Sequence, residues 1–224
     1  MGTVSFASLL NGIGDLMHVE AGETIYHPGS PSSSVFLIVE GLVTVAYLDE
    51  SGEKLTLAIR GPEDIIGEFG AIGEKFRRHL ATAIDGTVLR CISRKDFVRI
   101  VFSDIDATRL LMLHFAETAR EYEQLAESLA FRPIRPRVAL ILLRLASKYG
   151  TKVHDGTLID IPWLTHKALA DMIGARRESV TLALGRMERE GLITKWRYCL
   201  VIKNCMGLEG IVGVPHRKRE PVAA

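Results

Sequence analysis

The spacing of apolar residues along this chain changes near Ser93, and that change constrains the fold more than any other feature. Before it, apolar residues recur at every second position, as in the series Val43, Val45 and Tyr47 and in the segment 55–60. A period of two is typical of strands with one buried face. Residues 49–52, Asp-Glu-Ser-Gly, predict a hairpin turn. With frequent glycines besides, this region is expected to form a barrel or a sandwich.

After Ser93 the spacing becomes helical. Residues 105–129 contain neither glycine nor proline, and one series of side chains recurs at intervals of 4, 3, 4, 3 and 4: Leu111, Phe115, Thr118, Tyr122, Leu125 and Leu129. This is a heptad pattern on a long helix, and it favours a seam between two copies of the chain. Packing of a single helix against its own barrel is the alternative.

Prolines and charge divide the chain. Pro133 and Pro136 end the long helix, so we place a hinge there and expect three parts: a sensor domain at 1–103, a dimerisation helix at 104–131 and a further domain at 132–224. The formal charge is −8 over residues 1–131 and +9 over residues 132–224. A basic C-terminal part favours contact with nucleic acid, although opposite charges also help two halves to dock.

Composition excludes several classes of protein. No apolar run approaches the ~18–20 residues of a membrane span, and residues 1–5 do not resemble a secretion signal. Three cysteines, Cys91, Cys199 and Cys205, fit a reducing cytoplasm better than a disulfide framework. We therefore expect a cytoplasmic protein.

The segment from Thr165 to Met187 predicts a helix-turn-helix. Thr165 is a suitable N-cap for the first helix, and Gly174 permits a tight turn before the second. Residues expected to face inward are Leu169, Met172, Ile173, Val180, Ala183, Leu184 and Met187. The opposite face of the second helix carries Arg177, Glu178, Thr181 and Leu182, and such a face can enter the major groove of DNA. Arginine can bind guanine O6 and N7 there, and glutamate can accept from cytosine N4. Glu178 could instead stabilise the positive end of the helix dipole, although this leaves the neighbouring Arg176 unexplained.

Two short apolar segments follow, Ile193–Trp196 and Cys199–Ile202, and they predict a two-stranded wing. Lys195 and Arg197 are either phosphate contacts or merely exposed hairpin charges, and the sequence favours neither. Thr165, Lys167 and Arg176 are further candidate contacts with DNA.

The whole chain resembles the CRP/FNR family of bacterial transcription regulators. The likeness lies in these segments: Pro28-Gly29-Ser30-Pro31, residues 35–41, Gly67-Glu68-Phe69-Gly70, Leu129-Ala130-Phe131 and residues 165–193. The resemblance implies an α+β protein with an N-terminal jelly-roll β-barrel of the cyclic-nucleotide-binding kind, a long dimerisation helix and a C-terminal winged helix-turn-helix. It also implies a homodimer that binds a palindromic site in double-stranded DNA, and RNA polymerase as a partner. Arg177 and Glu178 stand where members similar to the cyclic-AMP receptor carry their base-reading pair. Leu182 replaces a base-contacting arginine, so the half-site is expected to differ at one position.

The effector pocket departs from the family pattern. Gly67-Glu68 matches the pair that holds the ribose, but Arg77-Arg78 aligns with an Arg-Ser or Arg-Thr phosphate pair, and Tyr122-Glu123 aligns with the small residues beside adenine. These bulky replacements argue against cyclic AMP as the effector. Arg77 and Arg78 could bind another anion or lie in a solvated turn.

The sequence identifies no cofactor. The iron–sulfur members of the family use an N-terminal cysteine group, and no cysteine precedes Cys91. The isolated histidines argue against haem. We also expect no enzyme, because the chain has no His-x-His pair, no nucleophile–base motif and no phosphate-cradling glycine loop. A ligand-binding protein that acts only through protein partners is the remaining rival, and salt-dependent DNA binding separates the two.

Overall fold

A computed structural model describes residues 5–73, 75–196 and 199–213. The chain divides into two compact units, Met1–Ala126 and Glu127–Ala224. Among the helices of the described segments, none combines the length and the apolar character that crossing a bilayer requires.

The described part of the first unit contains two four-stranded antiparallel sheets. Their strands, β1 to β8, are Asp15–Val19, Thr24–Tyr26, Ser34–Glu40, Val43–Leu48, Lys54–Arg60, Ile65–Ile66, Leu80–Ala83 and Thr87–Ser93. One sheet has the order β1-β8-β3-β6 and the other the order β2-β7-β4-β5. Phe36 and Ile38 of β3 pack with residues of the second sheet, whereas Val35 and Leu37 pack with helices on the other side. Both faces of β3 are therefore buried, and the predicted jelly-roll barrel is confirmed.

The predicted hairpin is present between β4 and β5. The Asp49 side chain accepts hydrogen bonds from the backbone N–H groups of Ser51 and Glu53, both at 2.9 Å. The expectation that Tyr47 shares a buried face with Val43 and Val45 is wrong. Val45 pairs with Ala58 and Ala46 pairs with Thr56, so the extra residue of the bulge is Leu57 of β5, and Tyr47 at the hairpin end of β4 is 54% exposed.

The helices of the first unit are α1 (Phe6–Leu10), α2 (Glu68–Ile72), α3 (Arg94–Ser103) and most of α4 (Ile105–Phe131). Leu111 and Thr118 of α4 are buried, Phe115 packs on the core beneath the first sheet, and Tyr122 lines a cavity of the same unit. These four residues belong to the heptad series that we expected at a dimer seam. The expectation is wrong for Leu111 and Thr118, which are buried within their own chain, as the alternative had it; for the half-buried Phe115 and Tyr122 the dimer seam stays a prediction.

The second unit is a winged helix-turn-helix. Its elements are α5 (Ile134–Tyr149), β9 (Thr151–Val153), β10 (Gly156–Asp160), α6 (His166–Ile173), α7 (Arg177–Arg189), β11 (Ile193–Trp196), β12 (Cys199–Ile202) and α8 (Cys205–Val212). The sheet order is β11-β12-β10-β9. All seven residues expected to face inward on α6 and α7 are buried. Pro136 lies in the first turn of α5, where the helix needs no backbone donor.

Candidate DNA-reading surface and sensor cavity

The turn between α6 and α7 is held by local hydrogen bonds. The Thr165 hydroxyl accepts from the Ala168 backbone N–H at 3.0 Å and caps α6, as predicted. Gly174 has a φ of 58° and ends α6 in the left-handed conformation that glycine adopts at little cost. Arg137 of α5 donates to the Ile173 carbonyl oxygen at 2.8 Å, which satisfies one of the last carbonyls of α6. These features fix the end of α6 against α5, and α7 packs against both of these helices.

The outward face of α7 carries the predicted contact residues. Arg177, Glu178, Thr181 and Leu182 are all exposed, and Arg176 is exposed at the N-cap position. Glu178 lies in the first turn, where its charge also favours the positive end of the helix dipole. Four different chemistries are therefore presented side by side on one helix: a cation, a carboxylate, a hydroxyl and an apolar group.

A histidine that the sequence analysis did not single out supports this surface. Nδ1 of His166 lies 2.8 Å from the Thr181 hydroxyl oxygen, and that hydroxyl donates to the Arg177 carbonyl oxygen at 3.0 Å. The hydroxyl hydrogen is thus engaged, so Nδ1–H of His166 is the donor. Burial, and then the positive charges of Lys195 and Arg177, lower the pKa of His166. No sequence signal indicates this contact, because the partners are 15 positions apart.

The two lysines predicted to contact DNA are engaged in ion pairs. Nζ of Lys167 lies 3.1 Å from a carboxylate oxygen of Asp171. Nζ of Lys195, on β11, lies 2.9 Å from Oε2 of Glu188, and its backbone N–H donates to Oε1 at 3.2 Å. The hydrogen bond from the Lys195 ammonium lowers the pKa of Glu188. Arg197, the other wing candidate, lies outside the described residues.

The first unit encloses a cavity of about 500 Å³. Its lining is mainly apolar and includes three arginines. The lining residues are Tyr26, Val45, Ala58, Arg60, Ile65, Ile66, Gly67, Glu68, Phe69, Gly70, Ile72, Gly73, Phe76, Arg77, Arg78, His79, Phe115, Thr118 and Tyr122. Five of the six residues predicted for the effector pocket are thus brought together. The sixth, Glu123, is exposed and does not line the cavity.

The arginine expected at the phosphate position is built into the framework of the cavity. Only 7% of Arg77 is exposed, and its guanidinium donates to the carbonyl oxygens of Gly67, at 2.7 Å, and Ser34. It also stacks over the ring of Tyr26, 4.4 Å from the centroid. Burial lowers the pKa of Arg77 and raises that of Tyr26.

The glutamate expected at the ribose position has a protein partner. Glu68 is 5% exposed, and its Oε1 lies 3.0 Å from Nε2 of His114 on α4. Farther along α4, Arg60 of β5 binds Glu121 at 2.6 Å and donates to the Thr118 hydroxyl at 3.3 Å. Sequence patterns did not indicate Arg60 or His114 as cavity residues. Alternation along β5 placed Ile59 inward rather than Arg60, and His114 is an isolated histidine in the sequence.

Arg78 and Tyr122, the other predicted residues with a charged or phenolic side chain that line the cavity, are more accessible to solvent than Arg77 and Glu68. Tyr122 is half-buried, and burial raises its pKa to about 12, so its phenol stays protonated at neutral pH. Arg78 is exposed and lies on the same lining as Arg77. Among the described residues, no three His, Cys, Asp or Glu side chains are grouped so that they could hold a metal ion.

Comparison with known proteins places both units in one family. A model described as a cyclic nucleotide-binding domain matches residues 16–104, and one described as a Crp-like helix-turn-helix domain matches residues 136–211. A global nitrogen regulator of Synechococcus elongatus is 28% identical over 191 residues, which cover 84% of this chain and 86% of that protein. A CRP-like cAMP-activated global transcriptional regulator of Mycobacterium tuberculosis is 30% identical over 174 residues, covering 77% and 76%.

Solved structures agree with these matches. FixK2 from Bradyrhizobium japonicum superposes with a TM-score of 0.78 at 22% identity, over 91% of this chain and 99% of that one, and it supports the fold alone. TTHB099, a CRP-family transcriptional regulator from Thermus thermophilus, gives a TM-score of 0.75 at 27% identity, over 88% and 97%. The chain belongs to the CRP/FNR family of bacterial transcription regulators.

Proposed function

We propose that this regulator binds a palindromic duplex as a homodimer, and that an effector other than cyclic AMP controls it at the sensor cavity. The observation that carries the DNA-reading part is the exposed face of α7, where Arg177 and Glu178 occupy the first turn of a helix that the preceding turn holds in place. The N-terminal turns of such a helix are the ones that reach base edges in the major groove. RNA polymerase in the cytoplasm is the expected further partner, because a regulator at a promoter acts on that enzyme.

A second face of α4 supports the homodimer. Arg109, Met112, Ala116, Ala119, Glu123 and Ala126 recur at intervals of 3, 4, 3, 4 and 3, and all six are exposed. We call these six residues the outer stripe. Its spacing is a heptad repeat, offset by one position from the series that packs within the chain, and its alanines allow two helices to approach closely. A dimer would contain two copies of α7, as a palindrome with two half-sites about one helical turn apart requires.

The engagement of the cavity residues supports an effector other than cyclic AMP. A cyclic phosphate needs an arginine whose donors are available, whereas Nη1 and Nη2 of Arg77 already donate to the carbonyls of Gly67 and Ser34, and its unpaired Nε is buried. A ribose needs a carboxylate, whereas that of Glu68 is paired with His114. Tyr122 takes up space where the resemblance places a small residue beside the base.

Binding-site selection from random duplexes tests the proposal. We expect a palindrome, 1:2 stoichiometry of duplex to chain, and affinity that falls steeply with salt. Arg177→Ala should weaken the selected site by about 1–3 kcal/mol and relax one base position per half-site. Cyclic AMP at millimolar concentration should leave the affinity unchanged. If no sequence is selected, the proposal of sequence-specific DNA binding is wrong. If micromolar cyclic AMP raises the affinity for DNA tenfold, the proposal of another effector is wrong.

A further inference from the structure

One large apolar side chain stands in the middle of the polar face of α7. Glu178, Leu182, Gly185 and Arg189 follow one another at intervals of 4, 3 and 4 and form a single stripe opposite the buried side of the helix. Leu182 is 74% exposed. A Cβ atom added at Gly185 would meet nothing within 4 Å, so the surface next to Leu182 on this stripe is open. Isolated exposed leucines are ordinary on protein surfaces. Leu182 differs from them because it lies one helical turn beyond Glu178, on the face of α7 that we propose contacts DNA.

The chemistry of the major groove restricts what a leucine can read there. Every base edge in that groove presents hydrogen-bonding groups, but only thymine also presents an apolar one, its C5-methyl group. Leucine neither donates nor accepts, so covering another edge with it would desolvate polar atoms without compensation. We propose that Leu182 selects a thymine by packing against its methyl group. This rests on the proposed function, because it requires α7 to lie in the major groove.

The position of that thymine follows from helix geometry. Glu178 and Leu182 are four residues apart, which is about 6 Å along a helix axis that rises 1.5 Å per residue. Stacked base pairs are about 3.4 Å apart. The thymine therefore lies one or two base pairs from the cytosine that Glu178 is positioned to read.

The test removes the methyl group and nothing else. In the selected palindrome, each thymine is replaced in turn by deoxyuridine, and affinity is measured for the wild type and for Leu182→Ala. We expect one position per half-site at which deoxyuridine weakens the wild type about threefold to tenfold, in line with the burial of one methyl group. The same replacement should leave the affinity of Leu182→Ala unchanged. Leu182→Met, which keeps an apolar side chain of similar size, should retain the preference for thymine.

Two controls make the result specific. Glu178→Gln lies on the same stripe and should still distinguish thymine from deoxyuridine. At the sensitive position, 5-methylcytosine should bind the wild type better than cytosine and should give Leu182→Ala no advantage. The proposal for Leu182 is wrong if deoxyuridine weakens the wild type and Leu182→Ala equally, or if it weakens the wild type at no position. In either case, sequence-specific binding of the wild type would still support the proposed function. Failure to select any sequence overturns both.

Discussion

At the scale of single residues, the contacts of Arg77 indicate a structural role rather than a ligand-binding one. Its guanidinium joins the Ser34 carbonyl on β3 to the Gly67 carbonyl before α2, and it covers the ring of Tyr26. We predict that Arg77→Met destabilises the first unit, because a methionine leaves two carbonyls without their donor. A buried polar group left unpaired costs about 1–3 kcal/mol. Scanning calorimetry should show a lower unfolding temperature in the absence of any ligand.

The neighbouring arginine provides the matched control. Arg78 is exposed, so Arg78→Met should leave the unfolding temperature close to that of the wild type. If both variants unfold at the wild-type temperature, Arg77 is not part of the framework of the cavity.

The sequence placed both arginines at the cavity but could not assign their roles. Successive residues of an extended segment point in opposite directions, so an error of one position in an alignment exchanges a buried side chain for an exposed one. The pair formed by Glu68 and His114 had no signal at all, since its members are 46 positions apart. Thr165, by contrast, was predictable, because capping depends on a backbone N–H only three residues away.

At the scale of elements, an ion pair joins α7 to the wing. Lys195 of β11 is held by Glu188 of α7 through both its ammonium and its backbone N–H. We predict that Glu188→Gln strengthens binding to duplexes of any sequence, because the lysine is then available to a phosphate. The slope of log affinity against log salt should become steeper by about one unit per chain.

Another carboxylate in the same unit serves as the control. Glu190 is paired with Arg135 rather than with the wing, so Glu190→Gln removes the same charge without freeing Lys195. Equal gains in the two variants would mean that only net charge matters and that the ion pair with Lys195 has no separate effect. Lys195→Ala should weaken all duplexes alike.

Elements with strong local patterns were predicted well. The wing strands have the expected bounds, Ile193–Trp196 and Cys199–Ile202, and the inward residues of α6 and α7 are confirmed. The alternation along β4 failed at Tyr47, which is 54% exposed although Val43 and Val45 are buried. Alternation alone does not show how far along a strand the buried face extends.

At the scale of the whole molecule, α4 carries two heptad series, and the sequence could not show which one faces a partner. The series that includes Leu111 has the larger apolar residues, and for that reason the chain uses it to cover its own core. Half of the outer stripe consists of alanines, which contribute little apolar area and are easily overlooked in a sequence. We propose that the parts at 1–103, 104–131 and 132–224 act as sensor, dimerisation helix and DNA-binding domain, joined through this helix.

The outer stripe gives the last prediction. Ala119→Glu places a carboxylate at a position where two copies of α4 would meet, so each dimer would bury two like charges close together. We expect the variant to be monomeric at micromolar concentration by analytical ultracentrifugation and to lose affinity for the full palindrome. Affinity for a single half-site should stay close to that of the wild type, because α7 is unchanged.

Gln124→Glu adds the same charge on another face of α4, where the exposed residue does not belong to the outer stripe. It should remain dimeric and should bind the palindrome as the wild type does, apart from a small effect of net charge. If Ala119→Glu also remains dimeric, the dimer does not form through the outer stripe. If Gln124→Glu dissociates as well, the effect comes from repulsion along the whole helix, because the acidic first part of the chain already carries a charge of −8.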